Sequence, residues 1–131
     1  MNNTEIQILY VEDDLLNQMV LKSTLKALGY ENVLIAGDAK QAFEILENPN
    51  IKLNIILMDI GLPEMNGIEL TEKIRHSDLT AKNIPIIAVT GNEALNAKEL
   101  CLEAGMNDFL MKPVEAKLLK TTIETILLSK K

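Results

Sequence analysis

Five apolar runs of strand length, at residues 6–11, 33–36, 54–58, 84–89 and 107–110, each lead into a segment with helical spacing. The first such segment, residues 15–28, includes Leu16, Val20, Leu21, Leu25 and Leu28 among its apolar positions, and Gly29 can close it in the left-handed conformation. Asp38 and Gln41 have capping-box spacing ahead of a stripe of Ala39, Ala42, Phe43 and Leu46, which Asn48-Pro49-Asn50 ends. Asn66 and Glu69 cap a third helix with Ile68, Leu70 and Ile74 inward, followed by a polar linker at 76–83. Asn92 opens a fourth with a narrow face of Ala94, Ala97, Cys101 and Ala104, ended by Gly105, and residues 115–129 form a fifth around Leu119, Ile123, Ile126 and Leu127.

The run at 54–58 is apolar almost throughout, as a parallel strand covered on both faces must be. Pro85 is tolerable only near the start of its strand. Strands alternating with helices in one compact chain are satisfied by an open parallel α/β sheet with helices on both faces. Right-handed crossovers, with chemistry at the carboxyl ends of the strands, favour the flavodoxin-like order 2-1-3-4-5. A length of 131 residues fits one domain, spanning 1–131, and can build its core without disulfide or metal staples.

Composition narrows the function. The formal charge is −6, and only Lys130-Lys131 concentrates basic residues, so direct nucleic-acid binding is not expected. The apolar runs are too short to span a bilayer and no apolar leader is visible, which argues against membrane insertion and for a cytoplasmic location. Cys101, the single cysteine, is expected to be a small core side chain, and His76 an ordinary surface histidine.

Polar groups stand where four of the apolar runs end: Glu12-Asp13, Asp59, Thr90 and Lys112. Acids gathered at one sheet edge repel one another unless a cation joins them. Magnesium takes hard oxygen ligands, with manganese as an alternative; Asp13 and Asp59 would bind directly, Glu12 directly or through water, and the Gly61 carbonyl could add an oxygen. Asp59 could then attack a phosphoryl group as a nucleophile, with the Lys112 ammonium and the Thr90 hydroxyl stabilising charge on it.

The residues that carry this chemistry resemble the receiver domain of two-component response regulators. The matching pieces are Ile8-Leu9-Tyr10-Val11-Glu12-Asp13-Asp14, then Met58-Asp59-Ile60-Gly61-Leu62-Pro63 with Met65-Asn66-Gly67, then Val89-Thr90-Gly91, and finally Gly105 through Pro113. The resemblance implies a magnesium-dependent switch that takes phosphate from a phosphohistidine on a sensor histidine kinase or a histidine phosphotransfer protein. Asp59 matches the phosphoacceptor, Thr90 the switching hydroxyl, Phe109 the aromatic switch position and Lys112 the phosphate-contacting lysine. Pro113 matches the proline that usually follows through a cis peptide. Asp14 and Asn17 look like the acidic run of hybrid-kinase receivers, which usually has Asn at the place of Asp14. Gly91 replaces the common Ala, and Gly61 and Asn92 match positions that tune loss of phosphate.

Output would pass to an effector protein, to onward phosphotransfer or to the rest of a longer chain, and self-association as a homodimer is a further option. Two rivals remain at this stage. A small-molecule phosphatase using an aspartyl intermediate lacks a second carboxylate two residues after Asp59, where Gly61 stands. A receiver-shaped interaction domain that ignores phosphate would have no need of the complete set of acids, Thr90 and Lys112.

Overall fold

The computed structural model describes residues 3–61, 65–91 and 97–128. Among the described residues ten elements alternate: β1 (Gln7–Val11), α1 (Leu15–Ala27), β2 (Asn32–Ala36), α2 (Ala39–Glu47), β3 (Ile55–Met58), α3 (Gly67–Arg75), β4 (Ile86–Thr90), α4 (Ala97–Ala104), β5 (Asp108–Met111) and α5 (Ala116–Leu128). The strands form one sheet in the order β2-β1-β3-β4-β5, with every pairing parallel. This is the flavodoxin-like architecture expected from the alternation.

The two-residue period of a strand divides the core into two layers. Leu9, Val11, Ile56, Met58, Ile86 and Ala88 pack with residues of α2, α3 and α4. Ile8, Tyr10, Ile55, Leu57, Ile87 and Val89 pack with residues of α1 and α5. Side chains from β1, β3 and β4 are therefore buried on both faces, which explains why those runs carry almost no polar residue.

Polar side chains start the helices where their spacing suggests. Asp14 accepts from the Asn17 N–H at the start of α1, and Asp38 accepts from the Gln41 N–H at the start of α2. Gln41 Oε1 takes the Gly37 N–H rather than that of the capping residue, so the second arm of the box reaches one residue further back. Asn66 and Glu69 complete a reciprocal box on α3. Gly29 and Gly105 follow α1 and α4 with φ of 97° and 109°, a region that a β-carbon would disfavour.

The apolar positions of α1 divide between two sides of the helix. Leu21 and Leu25 are buried, but Leu16 and Val20 are not: Leu15, Leu16, Met19 and Val20 are 74%, 68%, 70% and 58% exposed. At 100° per residue Leu21, Leu25 and Leu28 share the side turned to the sheet, whereas Leu15, Leu16, Met19 and Val20 lie on the opposite side of the helix, which among the described residues is left to solvent. Cys101 is fully buried and His76 exposed, as expected. Asn92 and Ala94 lie outside the described residues, as do Leu62 and Pro63. Among the described residues, no helix is long and apolar enough to cross a membrane.

Arg75 ties three segments together beneath the sheet edge. Its Nε and Nη2 donate to the Gly105 carbonyl at 3.0 and 2.8 Å, Nη1 donates to the Lys82 carbonyl at 2.8 Å, and Nη2 reaches Asn107 Oδ1 at 3.2 Å. The same Asn107 oxygen accepts the Ile86 N–H at 2.8 Å. Replacing Arg75 by Met leaves these acceptors without their charged donor, and we expect a loss of about 2 kcal/mol in urea denaturation.

Candidate phosphoacceptor site

Backbone bonds continue the ladders one residue past the strands and so fix the site. The Glu12 N–H donates to the Ala36 carbonyl at 2.9 Å, the Asp59 N–H to the Val11 carbonyl at 3.0 Å, and the Lys112 N–H to the Thr90 carbonyl at 2.9 Å. Each side chain therefore leaves a rigid backbone at the carboxyl edge of β1, β3 or β5. Right-handed connections bring all these exits to the same end of the sheet.

Glu12, Asp13 and Asp59 each place a carboxylate oxygen within 4.8 Å of the others. Glu12 and Asp59 are buried, whereas Asp13 is exposed and stands at the mouth. Lys112 Nζ lies 2.5 Å from Glu12 Oε1 and 3.4 Å from Asp59 Oδ2, so the lysine bridges the two buried acids. Asp59 Oδ1 accepts the Gly61 N–H at 2.9 Å. Three hard oxygen donors with one bridging cation form a donor set that suits a small divalent ion.

The electrostatics separate the acids. Burial works against the Glu12 carboxylate, yet the Lys112 ammonium, a hydrogen bond shared with Asp59, the Asp14 N–H and the Tyr10 hydroxyl hold its pKa below the usual value. Asp59 moves the other way: burial raises its pKa and the neighbouring Glu12 adds to the rise, with Gly61 N–H and Lys112 opposing. Burial alone would lower the pKa of Lys112, but the two acids raise it above its ordinary value.

Thr90 is buried at the end of β4, and Phe109 is half-buried on β5 against the layer formed with α2, α3 and α4. Ala88 belongs to that same layer, so the strand alternation places Thr90 on the same side as Phe109. The Lys112-Pro113 peptide is cis.

Residues 8–124 match the response regulator receiver domain. The chain belongs to the response regulator receiver family. It is 36% identical over 122 residues to chemotaxis protein CheY1 of Helicobacter pylori, covering 93% of this chain and 97% of that protein. It is 37% identical over 122 residues to the sensor histidine kinase RcsC of Escherichia coli, where the match again covers 93% of this chain but only 12% of the kinase. Among solved structures, the receiver domain of a sensor histidine kinase from Pseudomonas aeruginosa, crystallised with a magnesium ion coordinated in its active site cleft, is 37% identical with a TM-score of 0.81. That likeness covers 93% of this chain and 97% of the other.

This receiver contains contacts at its site that motif reading did not single out. The Tyr10 hydroxyl donates to Glu12 Oε1 at 2.9 Å, and Gln18 Nε2 donates to the Glu12 carbonyl at 2.6 Å. Asn17 contributes its backbone N–H to the Asp14 cap, while Gln18 in the next position supplies the side-chain bond to the acidic pocket. Tyr10 could have been found from strand geometry, because it lies two residues before Glu12 and points to the same side. Gln18 had no comparable signal, since its role depends on how the first turn of α1 settles over the end of β1. Gly61 lies beside Asp59 and donates its N–H.

Proposed function

We propose that this receiver is a phosphorylation-dependent signalling switch in which Asp59 accepts the phosphoryl group. The observation that carries the proposal is the convergence of Glu12, Asp13 and Asp59 within 4.8 Å, with Lys112 bridging two of them. Glu12, Asp13 and Asp59 would hold magnesium, with the Gly61 carbonyl as a further oxygen. When bound, the metal would offset negative charge among the acids and on the incoming phosphoryl group.

The chain's own groups divide the remaining work. A carboxylate oxygen of Asp59 attacks phosphorus as the phosphorus–nitrogen bond to the donor imidazole breaks, and the imidazole departs with the bonding pair. Lys112 shifts from the acids toward the phosphoryl oxygens, and the Thr90 hydroxyl donates a hydrogen bond to them. Movement of Thr90 changes the space open to Phe109 on the same side of the sheet, which alters the surface made by α4, β5 and α5. Pro113 shapes the backbone immediately after Lys112.

Relatives that are sensor histidine kinases support a partner of the histidine-kinase type. The finer assignment is a phosphohistidine on such a kinase or on a histidine phosphotransfer protein. The exposed Leu15, Leu16, Met19 and Val20 lie just beyond the Asp13-Asp14 mouth of the site and could seat that donor. Leu100, Leu102, Met111 and Leu118 are exposed on α4, β5 and α5, a face suited to an effector or to a second copy of the chain. We assign the whole chain, residues 1–131, to one receiver unit.

The test uses a small acyl phosphate as donor, with intact-mass detection. Wild-type protein should gain one acid-labile phosphoryl group in magnesium, and should gain none with a chelator or after Asp59→Ala. No gain under conditions that phosphorylate another receiver contradicts the proposal. Sustained release of phosphate from a small ester, without a retained phosphoprotein, favours a hydrolase instead.

A further inference from the structure

Tyr10 is a core residue with one polar task. It pairs in register with Ile35 on β2 and Leu57 on β3, is 1% exposed, and donates its hydroxyl to Glu12 Oε1 at 2.9 Å. That oxygen is also the one that Lys112 Nζ approaches at 2.5 Å, while Glu12 Oε2 accepts the Asp14 N–H at 3.1 Å. The carboxylate is thus held from three directions, by two fixed donors and one movable cation.

The donors differ in how they can respond to phosphorylation. Lys112 lies beyond the end of β5, its side chain is 19% exposed, and it already faces Asp59 Oδ2 at 3.4 Å. If it turns to a phosphoryl group on Asp59, a fully buried Glu12 oxygen loses its charged partner. The Tyr10 ring is packed among Ile8, Leu57 and Val89 and cannot follow the lysine. Glutamate also has one more rotatable bond than aspartate, so its carboxylate needs an external tether to hold one position.

We infer that Tyr10 is a positioning residue of the acidic pocket: its hydroxyl keeps the Glu12 carboxylate in place for the metal, independently of where Lys112 points. This inference rests on the magnesium-dependent function proposed above. It concerns the side chain that orients a ligand, a role whose loss typically weakens metal affinity by about 10–100-fold.

The test is a double-mutant cycle on magnesium affinity, measured by titration calorimetry in the absence of any phosphodonor. Tyr10→Phe keeps the ring and should weaken magnesium binding about tenfold. Glu12→Asp shortens the carboxylate by one methylene, out of reach of the hydroxyl, so adding Tyr10→Phe to it should cause almost no further loss. Tyr30→Phe is the control, because the Tyr30 hydroxyl is buried without a hydrogen-bond partner among the described residues and should not affect the metal. Unchanged affinity in Tyr10→Phe, or an equal loss in the Glu12→Asp background, overturns the inference and leaves the proposed function standing. Absence of magnesium binding in the wild type would overturn both.

Discussion

Asp59→Asn should abolish phosphorylation and, in the same step, make the metal-free protein more stable. The Asp59 carboxyl is buried and shares its surroundings with Glu12, and both features raise its pKa. A carboxyl whose folded pKa lies above its unfolded value binds more protons in the native state than in the unfolded state. The native state therefore loses stability as pH rises through this range, and at neutral pH the ionised group is a net burden. Asparagine keeps the shape and can still accept the Gly61 N–H, but removes the like charge beside Glu12. We expect a gain on the order of 1–2 kcal/mol at neutral pH, the scale of a close like-charge contact in a partly solvated site.

The signs at the neighbouring groups provide an internal contrast. Glu12 has a lowered pKa, so its contribution is present above the unfolded carboxylate value and is lost as pH falls through the lower folded value. Glu12→Gln should accordingly destabilise the protein. Lys112 has a raised pKa, so its contribution is present below the unfolded lysine value and is lost as pH rises through the folded one. Urea denaturation with chelator checks the two acids across the acidic to neutral range and Lys112 in the alkaline range. The advantage of Asp59→Asn should shrink toward the carboxylate range, and a variant less stable than wild type at neutral pH would contradict the account.

Gly67→Ala should have the largest effect on stability of any single methyl addition near the site. A β-carbon at Gly67 would lie 2.4 Å from the Asp59 carbonyl oxygen, 2.8 Å from Ile60 Cα and 2.9 Å from Met58 Cγ. Two of these are backbone atoms that no rotamer change can move. The Gly67 N–H also donates to the Ile60 carbonyl at 3.2 Å, which holds the first turn of α3 against the residues that follow β3. Relief requires α3 or the Asp59 backbone to shift, at a cost of about 3 kcal/mol and about 10 °C in thermal midpoint. Because the obstructed atom belongs to Asp59, magnesium affinity should fall with stability. Gly91→Ala is the opposite case: among the described residues nothing stands within 4 Å of its β-carbon position, so calorimetry should find it close to wild type.

The features legible in the sequence were those with a repeating or local cause. Strand alternation, the Asp14, Asp38 and Asn66 caps and the glycines after α1 and α4 depend on neighbours a few residues away, and their signals survive without coordinates. The convergence of Glu12, Asp13, Asp59 and Lys112 was also legible, because a parallel sheet sends every strand exit to one end. Less accessible were features that depend on what an element meets. Leu16 and Val20 are apolar but lie on the side of α1 opposite Leu25, and composition alone does not show which apolar side of a helix meets the sheet. Gln18 reaches Glu12 only through the seating of α1, and the crowding at Gly67 comes from the approach of α3 to the end of β3. The β4 boundary had a similar cause: pairing with β5 carries the strand through Thr90, while Pro85 remains just before it.

The switch depends on where the phosphoryl group resides. Borohydride reduces an aspartyl phosphate to homoserine, so treatment with acyl phosphate and magnesium, followed by reduction and peptide mass spectrometry, locates it directly. The predicted result is homoserine at position 59, dependent on magnesium and absent from other acids. Conversion at Asp13, Asp14 or any other carboxylate, with Asp59 unchanged, would contradict the assignment.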